Sequence, residues 1–251
     1  MVDEQIPLTL HLEELRKRLM IAGGSWLLAF FACYSFAEPL FLYISEPLRE
    51  ALPESSSLVF LTATEPFFTY LKIAAMAALL ASLPVILWQV WAFVAPGLFA
   101  HEKKYAAPFV IIGSLLFVGG GAFSLKVVTP YAISFLLSFS RPGLTPMISI
   151  GSYIDFLVKF TLAFAIVFEL PLAITLAARL GLVTPKALAK NRKYAVLGAF
   201  VTSAILTPTP DAFNQMLMAG PLILLYEIGI ISARIFSRRA KPAPVAGETS
   251  A

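Results

Sequence analysis

The feature that most constrains this chain is a series of long apolar runs that carry almost no charge. Six such runs follow one another, separated by short polar stretches. They lie at residues 19–36, 67–94, 106–128, 156–178, 194–206 and 213–231. A membrane-spanning helix needs about 20 predominantly apolar residues, because the hydrocarbon core is about 30 Å thick and each helical residue rises about 1.5 Å. The runs therefore predict an all-α polytopic membrane protein with six transmembrane helices.

The composition of the chain excludes other classes of protein. Hydrophobic residues make up 59% and charged residues only 14%, whereas a soluble domain averages about a quarter charged. This excludes a soluble enzyme fold and a disordered chain, and no barrel-like alternation of apolar and polar residues is present. The single cysteine, Cys33, lies inside an apolar run and offers neither a disulfide framework nor a thiolate metal site. The net charge of +4 is too small and too scattered to predict nucleic-acid binding.

Lysine and arginine are concentrated in alternate connections between the runs. The segments before the first run, between the second and third, between the fourth and fifth, and after the sixth hold Arg16, Lys17, Arg18, Lys103, Lys104, Arg179, Lys186, Lys190, Arg192, Lys193, Arg234, Arg238, Arg239 and Lys241. The opposite connections hold only Arg49 and Arg141, and three lysines sit near outer helix ends, where they can reach the interface. Since basic loops stay inside, both termini are predicted to be cytoplasmic.

The chain divides into three predicted parts. Residues 1–18 form a cytoplasmic amphipathic helix, because leucines share one of its faces at Leu8, Leu12, Leu15 and Leu19. Residues 19–236 form the six-helix transmembrane domain, which includes an outer loop at 37–66 rich in proline and glutamate. Residues 237–251 are rich in proline and alanine and are predicted to be a disordered cytoplasmic tail.

The last two runs are predicted to be short helices. The fifth run has 13 residues, or roughly 20 Å of helix, and the sixth contains Pro221. Neither comfortably crosses a 30 Å hydrocarbon layer, so the bilayer beside them is expected to be thin.

Nothing in the sequence predicts catalysis. His11 and His101 do not form the zinc-protease pattern, which needs two histidines on one helical face. The runs contain no pair of aspartates for intramembrane proteolysis, and no glycine-rich phosphate loop follows a strand. We therefore predict a protein that is not an enzyme and needs no cofactor.

Several spaced motifs carry a resemblance to a known family. They are His11-Leu-Glu-Glu14-Leu-Arg16-Lys-Arg18, Phe93-Val-Ala-Pro96-Gly97-Leu with Glu102 and Lys103, Phe168-Glu169-Leu-Pro171, Leu206-Thr207-Pro208-Thr-Pro210-Asp211 and Glu227-Ile-Gly. Together they resemble the TatC family, the core subunit of the twin-arginine protein translocase. Thr209 between two prolines departs from the expected tighter Thr-Pro-Pro-Asp turn.

The resemblance implies a function and a set of partners. A protein of this kind binds the twin-arginine signal peptide of folded proteins at the cytoplasmic face of the bacterial inner membrane. It then assembles with the single-span subunits TatA and TatB and with other copies of itself, and the proton motive force drives transport. The residues that the resemblance implies for signal-peptide binding are Glu14, Glu102, His11, Arg16, Phe93 and Pro96. Carboxylates suit this role because a guanidinium forms bidentate, charge-assisted bonds with them.

Glu169 is an ionisable residue near the centre of the fourth run, just before a break expected at Pro171. Burial of an ionised carboxylate at the bilayer centre is unfavourable by about 2.5 kcal/mol or more. Glu169 is therefore expected to face a wet concavity or to be protonated, and a structural hydrogen-bonding role remains an alternative.

Three polar residues flank the outer turn between the two short helices: Thr207, Asp211 and Gln215. They are candidates for hydrogen bonding to a partner helix. Ordinary helix capping by Thr207 and Asp211 is the alternative.

Two other functions compete with a translocase subunit. A secondary transporter of small solutes would favour inverted repeats and several ionisable groups at the midplane, whereas only Glu169 is central here. A purely structural scaffold would leave the two cytoplasmic glutamates without a ligand.

Overall fold

The computed structural model describes residues 8–52, 58–94, 106–138, 147–206 and 212–236. This part of the chain is almost wholly helical, which confirms the all-α prediction. Its elements are α1 (Leu8–Tyr34), α2 (Ala37–Ala51), β1 (Leu58–Val59), α3 (Glu65–Val94), α4 (Ala106–Phe123), a π-helix (Ser124–Val128), α5 (Thr129–Leu137), β2 (Ile148–Ser149), α6 (Ile150–Phe168), α7 (Leu170–Arg179), α8 (Pro185–Lys190), α9 (Arg192–Leu206) and α10 (Ala212–Phe236).

Four stretches of the described chain are long and apolar enough to cross a membrane. They are Glu65–Val94, Ala106–Leu137, Ile150–Arg179 and Gln215–Phe236. A fifth candidate is the pair α1 and α2, which are bent by 80° relative to each other. Helix α9 has only 15 residues, or about 22 Å, and is not among the candidates. The shortness of the fifth predicted helix is confirmed, and a total of six spans stays a prediction.

The first two helices differ from the sequence prediction. Helix α1 runs without interruption through residues 18 and 19, so the predicted amphipathic segment is continuous with the first apolar run. Helix α2 occupies the first half of the predicted outer loop, and the prediction of a loop over that half was wrong. Its apolar residues recur at helical spacing, and Ile44 and Leu48 are buried against α3 and α6. Pro39 stands in the first turn, where the missing N–H costs no helical bond.

Two of the spans continue past a local break. The third run, predicted to end at Val128, continues to Leu137 because a π-helix turn absorbs Pro130, whose ring nitrogen cannot donate a bond. The fourth span begins at Ile150, earlier than predicted, and its helical bonding is interrupted at Glu169 between α6 and α7. The break expected near Pro171 is therefore confirmed.

Helix α10 is longer than the sequence suggested. It has 25 residues with Pro221 inside it, or about 37 Å, which is enough to cross the hydrocarbon layer. The prediction that the sixth helix is short was wrong, because the helix continues past the predicted end at residue 231, through Arg234, to Phe236.

Contacts between helix ends show how the helices run. Arg18 near the start of α1 donates to Gln89 near the end of α3, so these helices are antiparallel. Lys72 and Asp155 pair near the starts of α3 and α6, so these run in parallel. The hydroxyls of Thr175 in α7 and Ser232 in α10 share a hydrogen bond, which joins the second halves of these two helices. One end of the bundle therefore gathers the start of α1 and the last turns of α3, α7 and α10. We call it the basic end, since it carries Arg16, Lys17, Arg18, Arg179, Arg192, Lys193 and Arg234.

The opposite end is closed by a small polar cap. Strands β1 and β2 pair in parallel, with Leu58 opposite Ile148 and Val59 opposite Ser149. The Glu65 carboxylate accepts the backbone N–H of Leu61 at 3.0 Å and the Ser149 hydroxyl at 3.2 Å. These bonds fix the first turn of α3 to the start of α6. Asp155 near the start of α6 bonds Lys72 of α3 across the two helices at the same end.

Candidate functional site

Glu14 lies at the basic end on the first turns of α1, in a shallow groove formed with Glu13, Lys17 and Arg18 of the same helix. Its Oε1 accepts a hydrogen bond from Arg18 Nη2 at 3.0 Å, one helical turn away. Arg18 Nη1 in turn donates to Gln89 Oε1 at 3.3 Å, and Gln89 is a buried residue of α3. The Glu14 side chain is 32% exposed. The structure therefore holds this carboxylate in a fixed position while leaving part of it open to a ligand.

Sequence reasoning found Glu14 but missed Gln89. The signal for Gln89 was a lone amide inside the apolar run of α3, and a buried amide needs a hydrogen-bond partner. Its partner, Arg18, is 71 residues away in sequence, so the pairing depends on how α1 packs on α3.

The other residues predicted to bind a signal peptide are placed as follows. Arg16 is exposed on α1, and Phe93 is half-buried in the last turn of α3. The structure therefore places Phe93 one turn beyond Gln89, at the same end of the bundle as Glu14. Pro96, Glu102 and the side chain of His11 lie outside the described residues.

Glu169 stands at the break between α6 and α7. Its Oε1 is buried and has no hydrogen-bond partner among the residues that the structure describes. Its Oε2 lies against α4 at Gly113, where an added Cβ would come within 3.3 Å of it. The same Cβ would lie 2.6 Å from Leu87 Cδ1 and 2.9 Å from Leu172 Cδ2, so the glycine makes room for these two leucines as well as for the carboxylate. Contact of Glu169 with water stays a prediction.

Gln215 joins the two last helices near their outer ends. Its side-chain Nε2 donates to the Phe200 carbonyl at 3.1 Å, and the Ser203 hydroxyl donates to the Gln215 carbonyl at 2.6 Å. The amide predicted to meet a partner thus already fastens α10 to α9. Thr207 and Asp211 lie outside the described residues.

A bidentate ion pair fastens the same two helices nearer the basic end. Arg192 Nε and Nη2 donate to the two carboxylate oxygens of Glu227 at 2.6 and 2.7 Å. Sequence reasoning counted Arg192 as an orienting charge and read Glu227 only as part of a motif. The structure shows that the Arg192 and Glu227 side chains form an ion pair with each other.

The fold and the site define a class of protein. It is a polytopic all-α membrane protein whose basic end presents a fixed carboxylate among arginines.

Comparisons with known proteins identify the family. The family model described as Sec-independent protein translocase protein (TatC) matches residues 10–221. A TatC protein of Desulforapulum autotrophicum is 42% identical over 237 residues, which cover 94% of this chain and 87% of that protein. One from Escherichia coli is 40% identical over 235 residues, covering 94% and 91%. The chain belongs to the TatC family of the twin-arginine translocase. It is therefore a membrane protein that takes part in protein transport.

The solved structures agree with this assignment. A crystal structure of the twin-arginine translocase receptor TatC has a TM-score of 0.80 at 39% identity and covers 91% of this chain and 100% of its own. A second crystal structure of the receptor in a detergent has a TM-score of 0.81 at 40% identity, covering 88% and 98%.

Proposed function

We propose that this protein binds the twin-arginine signal peptide of folded proteins at its basic end and nucleates a translocation complex with TatA and TatB. The basic end faces the cytoplasm of the bacterial cell, so both termini are cytoplasmic, and the proton motive force drives transport across the inner membrane. The family assignment supports this proposal, as does the concentration of arginine and lysine at one end of the helices.

The single observation that carries the proposal is the geometry of Glu14. The carboxylate accepts a guanidinium N–H from Arg18 at 3.0 Å, so the groove holds it in an orientation that suits an arginine. A carboxylate offers about four lone-pair sites, and one bond from Arg18 leaves capacity for a ligand arginine. Arg18 is itself tied to α3 through Gln89, which limits the motion of the pair.

The second arginine of the signal peptide needs a second carboxylate. Glu102 fills this role in the proposal, with Phe93, Pro96, His11 and Arg16 bordering the site. Glu102 follows α3 in the chain by eight residues, and α3 ends at the basic end beside α1. The contact between Arg18 and Gln89 brings the end of α3 close to the start of α1, which supports the choice of Glu102 as the second carboxylate.

The test compares Glu14→Gln with Glu13→Gln. Both variants remove one negative charge from the same groove on α1, but Glu13 is the more exposed and lies about 100° round the helix from Glu14. Glu14→Gln should weaken the binding of an Arg-Arg peptide to the purified protein by about 10- to 150-fold, the range for a hydrogen bond to a charged group. Glu13→Gln should leave the affinity within about threefold. Equal effects of the two variants, or none from Glu14→Gln, would contradict the proposal.

The outer ends of α9 and α10 form the proposed edge for the single-span subunits. Leu197, Val201 and Ile205 of α9 are exposed at spacings of four residues, so they form an apolar stripe on one helical face. This helix is only about 22 Å long, and a partner helix or a thinned bilayer would cover its outer end. In this proposal Thr207 and Asp211 meet the partner, and Gln215 keeps the two helices in register for it.

A further inference from the structure

An apolar cavity of about 350 Å³ lies between α4, α7 and α10 and extends to the end of α3. Its walls include Trp91, Phe109, Leu172, Leu176 and Leu225. Trp91 near the end of α3, Arg179 at the end of α7 and Phe236 at the end of α10 all line it, so it lies in the half of the bundle nearer the basic end. None of the residues proposed to bind the signal peptide or the partner subunits lines it.

The cavity opens sideways out of the bundle. Ile112 on α4, together with Ile228 and Phe236 on α10, forms part of its lining and is also exposed on the helix surface. In a membrane protein such an apolar rim faces the hydrocarbon of the surrounding bilayer. A lipid chain can therefore enter the cavity without leaving the membrane.

The polar groups of the lining are already bonded to the protein. The Thr175 hydroxyl donates to the Pro171 carbonyl at 2.6 Å, and it also shares a hydrogen bond with the Ser232 hydroxyl. The remaining walls are almost entirely apolar. A polar solute would lose its hydration without gaining bonds, whereas a hydrocarbon chain would lose nothing. The body of the ligand is therefore apolar.

A single charged side chain, that of Arg179, lines the cavity within the described chain. It is the last residue of α7, so it stands where the cavity meets the basic end, and its guanidinium carbon lies 5.6 Å from the centroid of the Phe236 ring. Residues 179–193 carry five lysines and arginines and no acidic residue. Arginine is well suited to bind phosphate, and this charge favours an anionic head group.

We propose that this cavity is a binding site for an anionic phospholipid of the leaflet at the basic end. One acyl chain occupies the apolar walls, and the lipid phosphate pairs with Arg179. Lipid bound in this way wedges into the junction of α4, α7 and α10, beside the break at Glu169. This site is separate from the Glu14 site, because no residue of α1 lines the cavity in the described chain.

Two other occupants fit the cavity less well. A partner helix with an apolar face could cover the rim, but it would bring no anionic group to Arg179. A twin-arginine peptide has an apolar part as well, but its cations would then lie next to Arg179 and would be repelled.

The test uses the tryptophans of the full-length protein. Trp26 and Trp88 are replaced by phenylalanine, so that Trp91 in the cavity wall is the sole tryptophan. The protein is placed in phosphatidylcholine nanodiscs that contain a small fraction of phospholipid brominated in its acyl chains, which quenches nearby indole fluorescence. Brominated phosphatidylglycerol should half-saturate quenching at about fivefold lower content than brominated phosphatidylcholine, as about 1 kcal/mol from one arginine implies.

Three variants locate the charge responsible. Arg179→Gln should abolish the preference for phosphatidylglycerol, and Arg179→Lys should keep most of it. Arg234→Gln is the matched control, because Arg234 is exposed on α10 at the same end but does not line the cavity. It should keep the full preference. Circular dichroism of each variant confirms its helical content.

Several results would overturn the proposal. If the two brominated lipids quench Trp91 equally in the protein that retains Arg179, the proposal is wrong whatever the variants show. An equal loss in Arg179→Gln and Arg234→Gln would assign the preference to general surface charge. Relief of quenching by an added Arg-Arg peptide would show that the peptide occupies the cavity.

Discussion

Replacing Gly120 by alanine should force α4 away from α6. A Cβ added at Gly120 would lie 2.6 Å from the carbonyl oxygen of Phe164 and 2.8 Å from Cγ of Phe168. The first of these atoms belongs to the backbone of α6, so no side-chain rotation relieves the contact. An ordinary contact begins near 3.4 Å. The helices must therefore separate by about 0.8 Å, and a gap of that size forfeits a quarter to a half of the dispersion energy of the atoms facing it.

The expected cost follows from this displacement. Overpacking of an interface of this kind costs about 1 to 3 kcal/mol, and the gain in helix propensity from glycine to alanine offsets at most about 1 kcal/mol of it. A net loss of about 1 to 2 kcal/mol corresponds to a fall in Tm of about 2 to 8 °C for a chain of this size.

The neighbouring glycine supplies the control. A Cβ added at Gly119 meets nothing within 4 Å, so Gly119→Ala changes the same helix without touching α6. Thermal unfolding in detergent, followed by circular dichroism, should show a lower Tm for Gly120→Ala and an unchanged or slightly higher Tm for Gly119→Ala. Equal Tm values in the two variants would refute the close packing of α4 on α6.

Three further predictions concern polar contacts between helices. Glu227→Gln should lower the Tm, and exchanging Arg192 and Glu227 in a double variant should restore part of it, because the pair is bidentate. Lys72→Met should cost roughly 0.2 to 1 kcal/mol in thermal unfolding, since it leaves the partly exposed Asp155 without its partner, and Lys72→Met with Asp155→Leu should cost less. Gln215→Leu should weaken co-purification of TatB while an Arg-Arg peptide still binds, because the amide holds α10 on α9 at the end opposite the peptide site.

The spans were predictable because the bilayer imposes a simple length rule. Where the prediction failed, proline or charge had been taken as an end of a helix. The π-helix before Pro130 lets the third span continue, and α10 continues past the predicted end at residue 231 through Arg234 to Phe236. In α2 the helical spacing of Ile44 and Leu48 was present in the sequence, but two prolines and several glutamates concealed it.

The candidate site was only partly predictable. Glu14 came from a motif resemblance, and the charge count placed it at the basic end. Its geometry depends on Gln89, and no local pattern shows that residue 18 meets residue 89. The cavity lined by Arg179 depends likewise on the packing of helices distant in sequence. Sequence periodicity fixes which face of a helix is apolar, but not which other helix covers it.

The most direct test of the proposed function is a site-specific photo-crosslink to a twin-arginine signal peptide. Probes are placed singly at residue 12 on the first turns of α1, at residue 102, and at residue 61 near the opposite end of the bundle, where Leu61 is exposed. The proposal predicts crosslinks from residues 12 and 102 with an Arg-Arg peptide, much less with a Lys-Lys peptide, and none from residue 61. Crosslinking from residue 61 alone, or equal yields with both peptides at residue 102, would contradict it.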